Sequence, residues 1–361
     1  MKILLQNAEY SIFNFNLFCV ILFGELLKHQ TAQEEGRNAK MSKTNSNRAA
    51  PSNSRRFSHV CRAVKRQFPF YLMMIPGLFF MFILCYLPMP GIIIAFKDYR
   101  PRPGIWGSEW MDPLFKNFEF FFKSDTALTI TFNTIFYNLL EMVLVTAGAV
   151  ALAIMLNEVG SKLVSATYKG IILLPTFLSW IIIQYIVFGF LSMDKGIINN
   201  YFGLEINWYN EASYWRFIMP LAYFWKNIGY YSVLYVAAIA GISGEYYEAA
   251  ELDGASKWQQ IRYVTLPLLR PTIIILCLLW VGKLFSGGLG DWNGFYSITN
   301  NSGPLYATTD VIDTYVFRSL KTLNDYGMTA AAGLYQSVVG LVLVVVSNGI
   351  IRKIDPDSAL F

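Results

Sequence analysis

The groups in this chain able to do chemistry are aromatic rings, amides and a few isolated charges, set in long apolar segments. Trp180, Gln184 and Tyr185 fall in one segment, and Trp225, Lys226, Asn227, Tyr230 and Tyr231 in the next. Trp280 lies in a third, with Asp291, Trp292 and Asn293 just beyond it. Glu141 and Lys226 are ionisable groups in apolar surroundings. Polar groups in such segments are costly and usually face a bundle interior or a cavity. One reading is recognition, with rings stacking on a ligand while amides and carboxylates hydrogen-bond it. The other is structural. Tyr and Trp near segment ends form interfacial belts, Asn and Gln bind helices together, and a lone Lys or Glu is packed, paired or snorkelling.

Other chemistries find little support. Cys19, Cys61, Cys85 and Cys277 show no paired spacing, so neither a disulfide framework nor a zinc site is indicated. His29 and His59 both precede the main apolar region, which argues against haem ligation or a histidine proton relay. No stretch matches the phosphate-cradling pattern G-x-x-x-x-G-K-[ST]. Gly282-Lys283 lacks the preceding glycine and the following Ser or Thr, so ATP hydrolysis by this chain is not expected. A membrane-embedded enzyme using Glu141, Asp291 or Lys226 would need a paired catalytic spacing, and none is present.

The elements that must position these residues are membrane spans. The chain has 361 residues, 55% hydrophobic and 15% charged, against about 25% charged in typical soluble domains. That composition indicates an integral membrane protein. A helix needs about 20 apolar residues to cross a bilayer. Six segments qualify: roughly Phe70–Phe96, Asn133–Leu156, Ile171–Leu191, Phe217–Ile242, Thr272–Phe285 and Ala332–Ile351. The fifth is the shortest, breaking at Lys283 and again at Gly287-Gly288. Pro76 and Pro88-Met89-Pro90 are expected to kink or end the first. Nine Lys/Arg and no acid lie between Arg37 and Arg66, which places the segment before the first span in the cytoplasm. Six spans return the C-terminus there, where Arg352 and Lys353 follow the last. Residues 1–68 read as an extension, disordered over Thr31–Ser58. Ser11–Leu27 in it is a further span, an interfacial helix, or sequence upstream of a start at Met41.

Between the fourth and fifth spans lies Glu248-Ala249-Ala250-Glu251-Leu252-Asp253-Gly254-Ala255, closed by Val264-Thr265-Leu266-Pro267. Ser243 can cap a short helix there, with Glu245 and Glu248 near its positive end. Gly254 can end it in the left-handed conformation. Ser256 and Gln259 have capping-box spacing for a second helix. Leu266-Pro267 is expected to stop that helix, and Pro271 to open the next span.

This run, about 243–270, resembles the EAA loop of bacterial ABC importer permeases: Glu-Ala-Ala, three residues, Gly, nine residues, an aliphatic, one residue, Leu-Pro. The resemblance extends over Pro69 to Phe361. Pro69-Phe70-Tyr71-Leu72, Tyr86-Leu87-Pro88-Met89-Pro90-Gly91, Asp310-Val311-Ile312-Asp313-Thr314-Tyr315 and Ala332-Gly333-Leu334-Tyr335-Gln336 are similar to the oligosaccharide and polysaccharide subgroup.

The resemblance implies an all-α integral membrane protein with a six-helix transmembrane core of the type I ABC importer permease type, spanning 69–361, with a cytoplasmic coupling helix. It implies that Glu248, Ala249, Ala250, Asp253, Gly254, Ala255, Leu266 and Pro267 couple to an ATPase. The partners implied are a second permease, a dimeric cytoplasmic ATPase that holds the ATP and Mg, an extracytoplasmic substrate-binding lipoprotein, a glycan and membrane lipid; no nucleic acid is implied. Trp180, Gln184, Tyr185, Asn227, Tyr230, Tyr231, Trp280, Asp291, Trp292 and Asn293 become candidates for a sugar path. Asp310, Asp313 and Tyr315 become candidates for contact with the binding protein, unless their loop only caps the bundle. Import of a non-sugar solute is the nearest alternative. An ion-driven secondary transporter is disfavoured by few buried acids and no internal repeat.

Overall fold

The computed structural model describes residues 74–286 and 291–356, together with 72 and 359. The expectations for residues 1–68, and for the glycines at 287, 288 and 290, lie outside the described residues. The chain divides into two compact units, Met1–Ile92 and Ile93–Phe361.

The first helical run, α1 (Met74–Phe96), has 23 residues. It changes pitch through a π turn at Phe82–Tyr86 and a 3-10 stretch at Met89–Phe96. Pro88 and Pro90 have no N–H to donate, and the change of pitch absorbs the missing bonds. The helical run therefore continues past these prolines rather than ending at them. Phe79 and Phe80 are exposed, as lipid-facing side chains would be.

The longer elements of the second unit are α2 (Asp125–Asn157), α3 (Lys162–Leu173), α4 (Trp180–Leu191), α5 (Ala212–Ala240), α6 (Gly244–Leu252), α7 (Lys257–Val281), α8 (Asn293–Ile298), α9 (Ile312–Leu323) and α10 (Tyr326–Ile354). Among the described residues α1, α2, α7 and α10 are long and apolar enough to cross a membrane. The segment expected as one straight third span is two helices, Leu163–Phe177 and Trp180–Leu191, bent by 94°. Pro175 sits in a 3-10 turn at Leu174–Phe177, and Ser179 caps α4 by accepting from Ile182 N. A proline followed by a new N-cap ends one helix and starts another. α5 has 29 residues but carries Arg216, Lys226, Asn227 and a run of Tyr and Trp. It is long enough to cross, though not among the helices apolar enough by composition.

α2 and α5 form the centre of the unit. Tyr137, Trp215, Met219, Tyr223 and Phe295 make one buried cluster. Ala149, Ala153, Tyr235, Ile239 and Leu269 make another. Gly229 is where α5 meets the helix before the break, because a Cβ there would lie on the Ile172 carbonyl. Small residues allow this closeness between membrane helices.

Candidate functional site

The break between α3 and α4 organises the polar residues. A broken helix leaves carbonyls without intrahelical partners, and in a bilayer no water replaces them. Lys226 reaches across from α5 and supplies the donors. Its Nζ donates to Thr176 O at 3.1 Å and to Leu178 O at 2.5 Å. The Thr176 hydroxyl donates back to the Lys226 carbonyl at 2.8 Å. The Nζ also lies 5.0 Å from the centre of the Trp180 ring. Lys226 is thus a buried, satisfied cation that holds the break.

Asp291 gathers the next group. Trp180 Nε1 donates to Asp291 Oδ2, Asn293 Nδ2 donates to Oδ1 at 3.0 Å, and the Tyr223 hydroxyl donates to the Asp291 carbonyl at 2.6 Å. The fold therefore brings together Trp180 from α4, Lys226 from α5, and Asp291 and Asn293 from the lead into α8 and its first residue. Trp180 offers no free face, since Lys226 lies over it and Tyr223 packs against it with ring centres 4.4 Å apart. Gln184 donates to Asn300 Oδ1. Trp280 and Tyr231 pair with each other, the indole N–H donating to the Tyr231 hydroxyl at 2.8 Å. Trp292 is buried against Tyr296 and Phe317. Asn227 donates to Tyr223 O one turn back. Of the path candidates, Tyr185, Tyr230 and Asn293 remain exposed.

Glu141 is 1% exposed, and among the described residues neither of its carboxylate oxygens has a hydrogen-bond partner. Sequence reasoning missed the partners that the fold supplies: Tyr223, Asn300, and the carbonyls of Thr176 and Leu178. Pro175 followed by Ser179 was a legible sign of the break; nothing local marked the others.

The second candidate is the α6–α7 knuckle. Ser243 Oγ accepts from Glu245 N at 3.4 Å, and Gly254 takes φ +78°. Gln259 Oε1 accepts from Ser256 N at 2.7 Å, completing the capping box. Glu248, Ala249, Asp253 and Gly254 are exposed, while Ala250 and Ala255 are half-buried. Leu252, the last residue of α6, is 90% exposed. The Tyr247 hydroxyl and Thr265 Oγ1, 3.0 Å apart, tie α6 to α7. Leu266-Pro267 was expected to stop that helix and does not. A π turn at Ile261–Thr265 precedes Pro267, and the helix runs on through Pro271 to Val281. The π turn shifts the bonding pattern where proline supplies no N–H. The second helix of the knuckle is therefore continuous with a span.

The third group corrects an expectation. Asp310 is 4% exposed and does not offer its carboxylate to a partner. Arg318 grips both of its oxygens, at 3.0 and 2.5 Å, and Thr314 Oγ1 donates to Oδ1 at 2.5 Å. The guanidinium lies 3.9 Å from the Tyr306 ring centre. A buried acid needs such satisfaction, and it comes from within one short stretch of chain. Asp313 accepts from Gln336 Nε2 at 3.2 Å, and Tyr315 stacks on Phe120 at 4.7 Å between centres.

Comparison with known proteins follows the same lines. Residues 144–358 match the family model described as binding-protein-dependent transport system inner membrane component. Protein LplB of Bacillus subtilis (strain 168) is 36% identical over 300 residues, 82% of this chain and 92% of that one. The polygalacturonan/rhamnogalacturonan transport system permease protein YteP of the same organism is 32% identical, over 80% of this chain and 89% of its own. A crystal structure of a bacterial ABC transporter involved in import of the acidic polysaccharide alginate contains a chain that superposes with TM-score 0.71 at 30% identity. The match covers 82% of this chain and 99% of that one. The exposed EAA knuckle, the apolar helices and these matches agree: the chain belongs to the binding-protein-dependent transport system inner membrane component family.

Proposed function

We propose that this chain is one transmembrane subunit of an ATP-driven importer of oligosaccharides or polysaccharide fragments, forming half of the translocation path by alternating access. The observation that carries this reading is the knuckle. It is a capped, polar helix with an exposed leucine at its end, joined by the short turn at 253–256 to the helix that runs on as the span α7. Closure of a partner ATPase on ATP would move the knuckle, and the continuous α7 would transmit that movement into the membrane. A conformational change needs contacts that differ between its two states, and Glu248, Ala249, Ala250, Asp253, Gly254, Ala255, Leu266 and Pro267 would supply or support them. The ATP and Mg would sit in that partner. A second permease would complete the path, and a substrate-binding lipoprotein would deliver the glycan. Six spans would place both termini in the cytoplasm, with Arg352 and Lys353 in the last turn of α10 consistent with that side. Tyr185, Tyr230 and Asn293 are the exposed candidates for sugar contact.

The test is ATPase activity of the complex purified through this chain, with and without Glu248→Lys plus Gly254→Asp. Co-purification of an ATPase that the double change releases or uncouples supports the reading. Absence of any ATPase from both preparations overturns it.

A further inference from the structure

We infer that Lys283 is a specificity-determining residue that selects glycans bearing anionic ring substituents; this rests on the sugar-importer reading. Lys283 follows α7, where the helix has unwound: Gly282 to Ser286 is a series of turns. Gln336 Nε2 holds the Phe285 carbonyl at 2.6 Å, and Asn138 Nδ2 holds the Ser286 carbonyl at 2.5 Å. Non-helical backbone at membrane depth is tolerated where it is buried in protein or lines a cavity. Here it is fastened from two neighbouring helices and carries an ammonium group.

That ammonium has no hydrogen-bond or ion-pair partner among the described residues, although the residue is half-buried. The nearby charges do not neutralise it. Asp291 acts electrostatically on both Lys226 and Lys283, yet no ion pair within 4.0 Å joins it to either among the described residues. Its two oxygens accept from Trp180 and Asn293 instead. Lys226 is occupied by the two carbonyls of the break. Glu141 is sealed in the core and cannot meet a solute. Two ammonium groups against one carboxylate leave one positive charge, and that of Lys283 is the one of the two without a hydrogen-bond partner among the described residues. A half-desolvated cation without a partner is costly, and an anion arriving with the ligand would relieve that cost. A uronate carboxylate supplies this charge, with acceptor oxygens for the three N–H donors.

The experiment uses the assembled complex in proteoliposomes and reads glycan-stimulated ATPase with the cognate binding protein. The probes are oligogalacturonates and alginate oligosaccharides, the same preparations after carboxyl reduction to neutral sugars, and neutral arabino-oligosaccharides. The wild-type complex is expected to respond at least tenfold more strongly to an acidic glycan than to its reduced form. Lys283→Gln should bring that ratio close to one, and Lys283→Arg should retain most of it. Equal stimulation by acidic and neutral forms, stimulation by arabino-oligosaccharides alone, or an unchanged ratio in Lys283→Gln overturns the inference while leaving the importer reading intact. Failure of every glycan to stimulate the wild-type complex sinks the sugar reading itself. Because the readout is a ratio within each variant, a general loss of folded complex does not mimic the result.

Discussion

Replacing Lys226 with Met should loosen the broken third span without removing bulk. The wild-type ammonium donates to Thr176 O at 3.1 Å and to Leu178 O at 2.5 Å. Bonds involving a charged group contribute about 1.5–3 kcal/mol each. The gross loss is therefore about 3–6 kcal/mol, plus about 1 kcal/mol for the cation over the Trp180 ring. Met recovers part of this, because a buried charge no longer has to be desolvated. The carbonyls, however, stay in place with no donor. The net destabilisation should be about 2–4 kcal/mol, a fall of roughly 5–10 °C in melting temperature at the sensitivity of a large domain. The assay is thermal unfolding of the purified complex, with backbone hydrogen exchange measured over residues 174–182. Exchange should accelerate at Leu178 and Ile182, whose amides are held by Pro175 O and Ser179 Oγ. Thr176→Val, which removes one neutral hydroxyl bond of 2.8 Å, should fall by only about 1 kcal/mol. A Met variant melting within a degree of wild type, with unchanged exchange in this segment, would refute the idea that Lys226 holds the break.

Three other outcomes are expected. Arg318→Met should destabilise the outer region by about 3–5 kcal/mol, because it strands the Asp310 carboxylate in a buried position. Adding Asp310→Leu should recover most of the loss, and thermal melting of the single and double variants checks this. Gly229→Ala should cost about 1–3 kcal/mol by pressing a methyl onto the Ile172 carbonyl; wild-type expression and melting temperature would show that α3 and α5 can separate freely there. Glu141→Leu should raise stability by on the order of 1 kcal/mol, since it removes a buried group with no hydrogen bond among the described residues. A lower melting temperature for that variant would instead point to a partner for the carboxylate within the assembled transporter.

The knuckle was legible from sequence because its determinants are local. A serine cap, a glycine at positive φ and a Ser–Gln capping box each act over two to five residues, and the structure has all three. The spans were legible from their length and apolarity, which depend only on consecutive residues meeting lipid. Boundaries shifted where proline was read as a stop, because π and 3-10 turns let α1 and α7 continue through their prolines. Tertiary structure decided which polar side chains are free. Trp180 and Asp291 lie 111 residues apart and are bonded. Gln184 and Asn300 are 116 apart and likewise joined. Asp310 has an acidic side chain in a polar loop, yet it is buried because Arg318 folds back onto it. Residue type determines what a group can bond, but in a membrane each polar group takes whichever partner the packing of distant helices brings within reach. Sequence therefore named the groups capable of chemistry, and only the packing distinguished Lys226, which donates to two carbonyls, from Lys283, whose ammonium has no hydrogen-bond partner among the described residues.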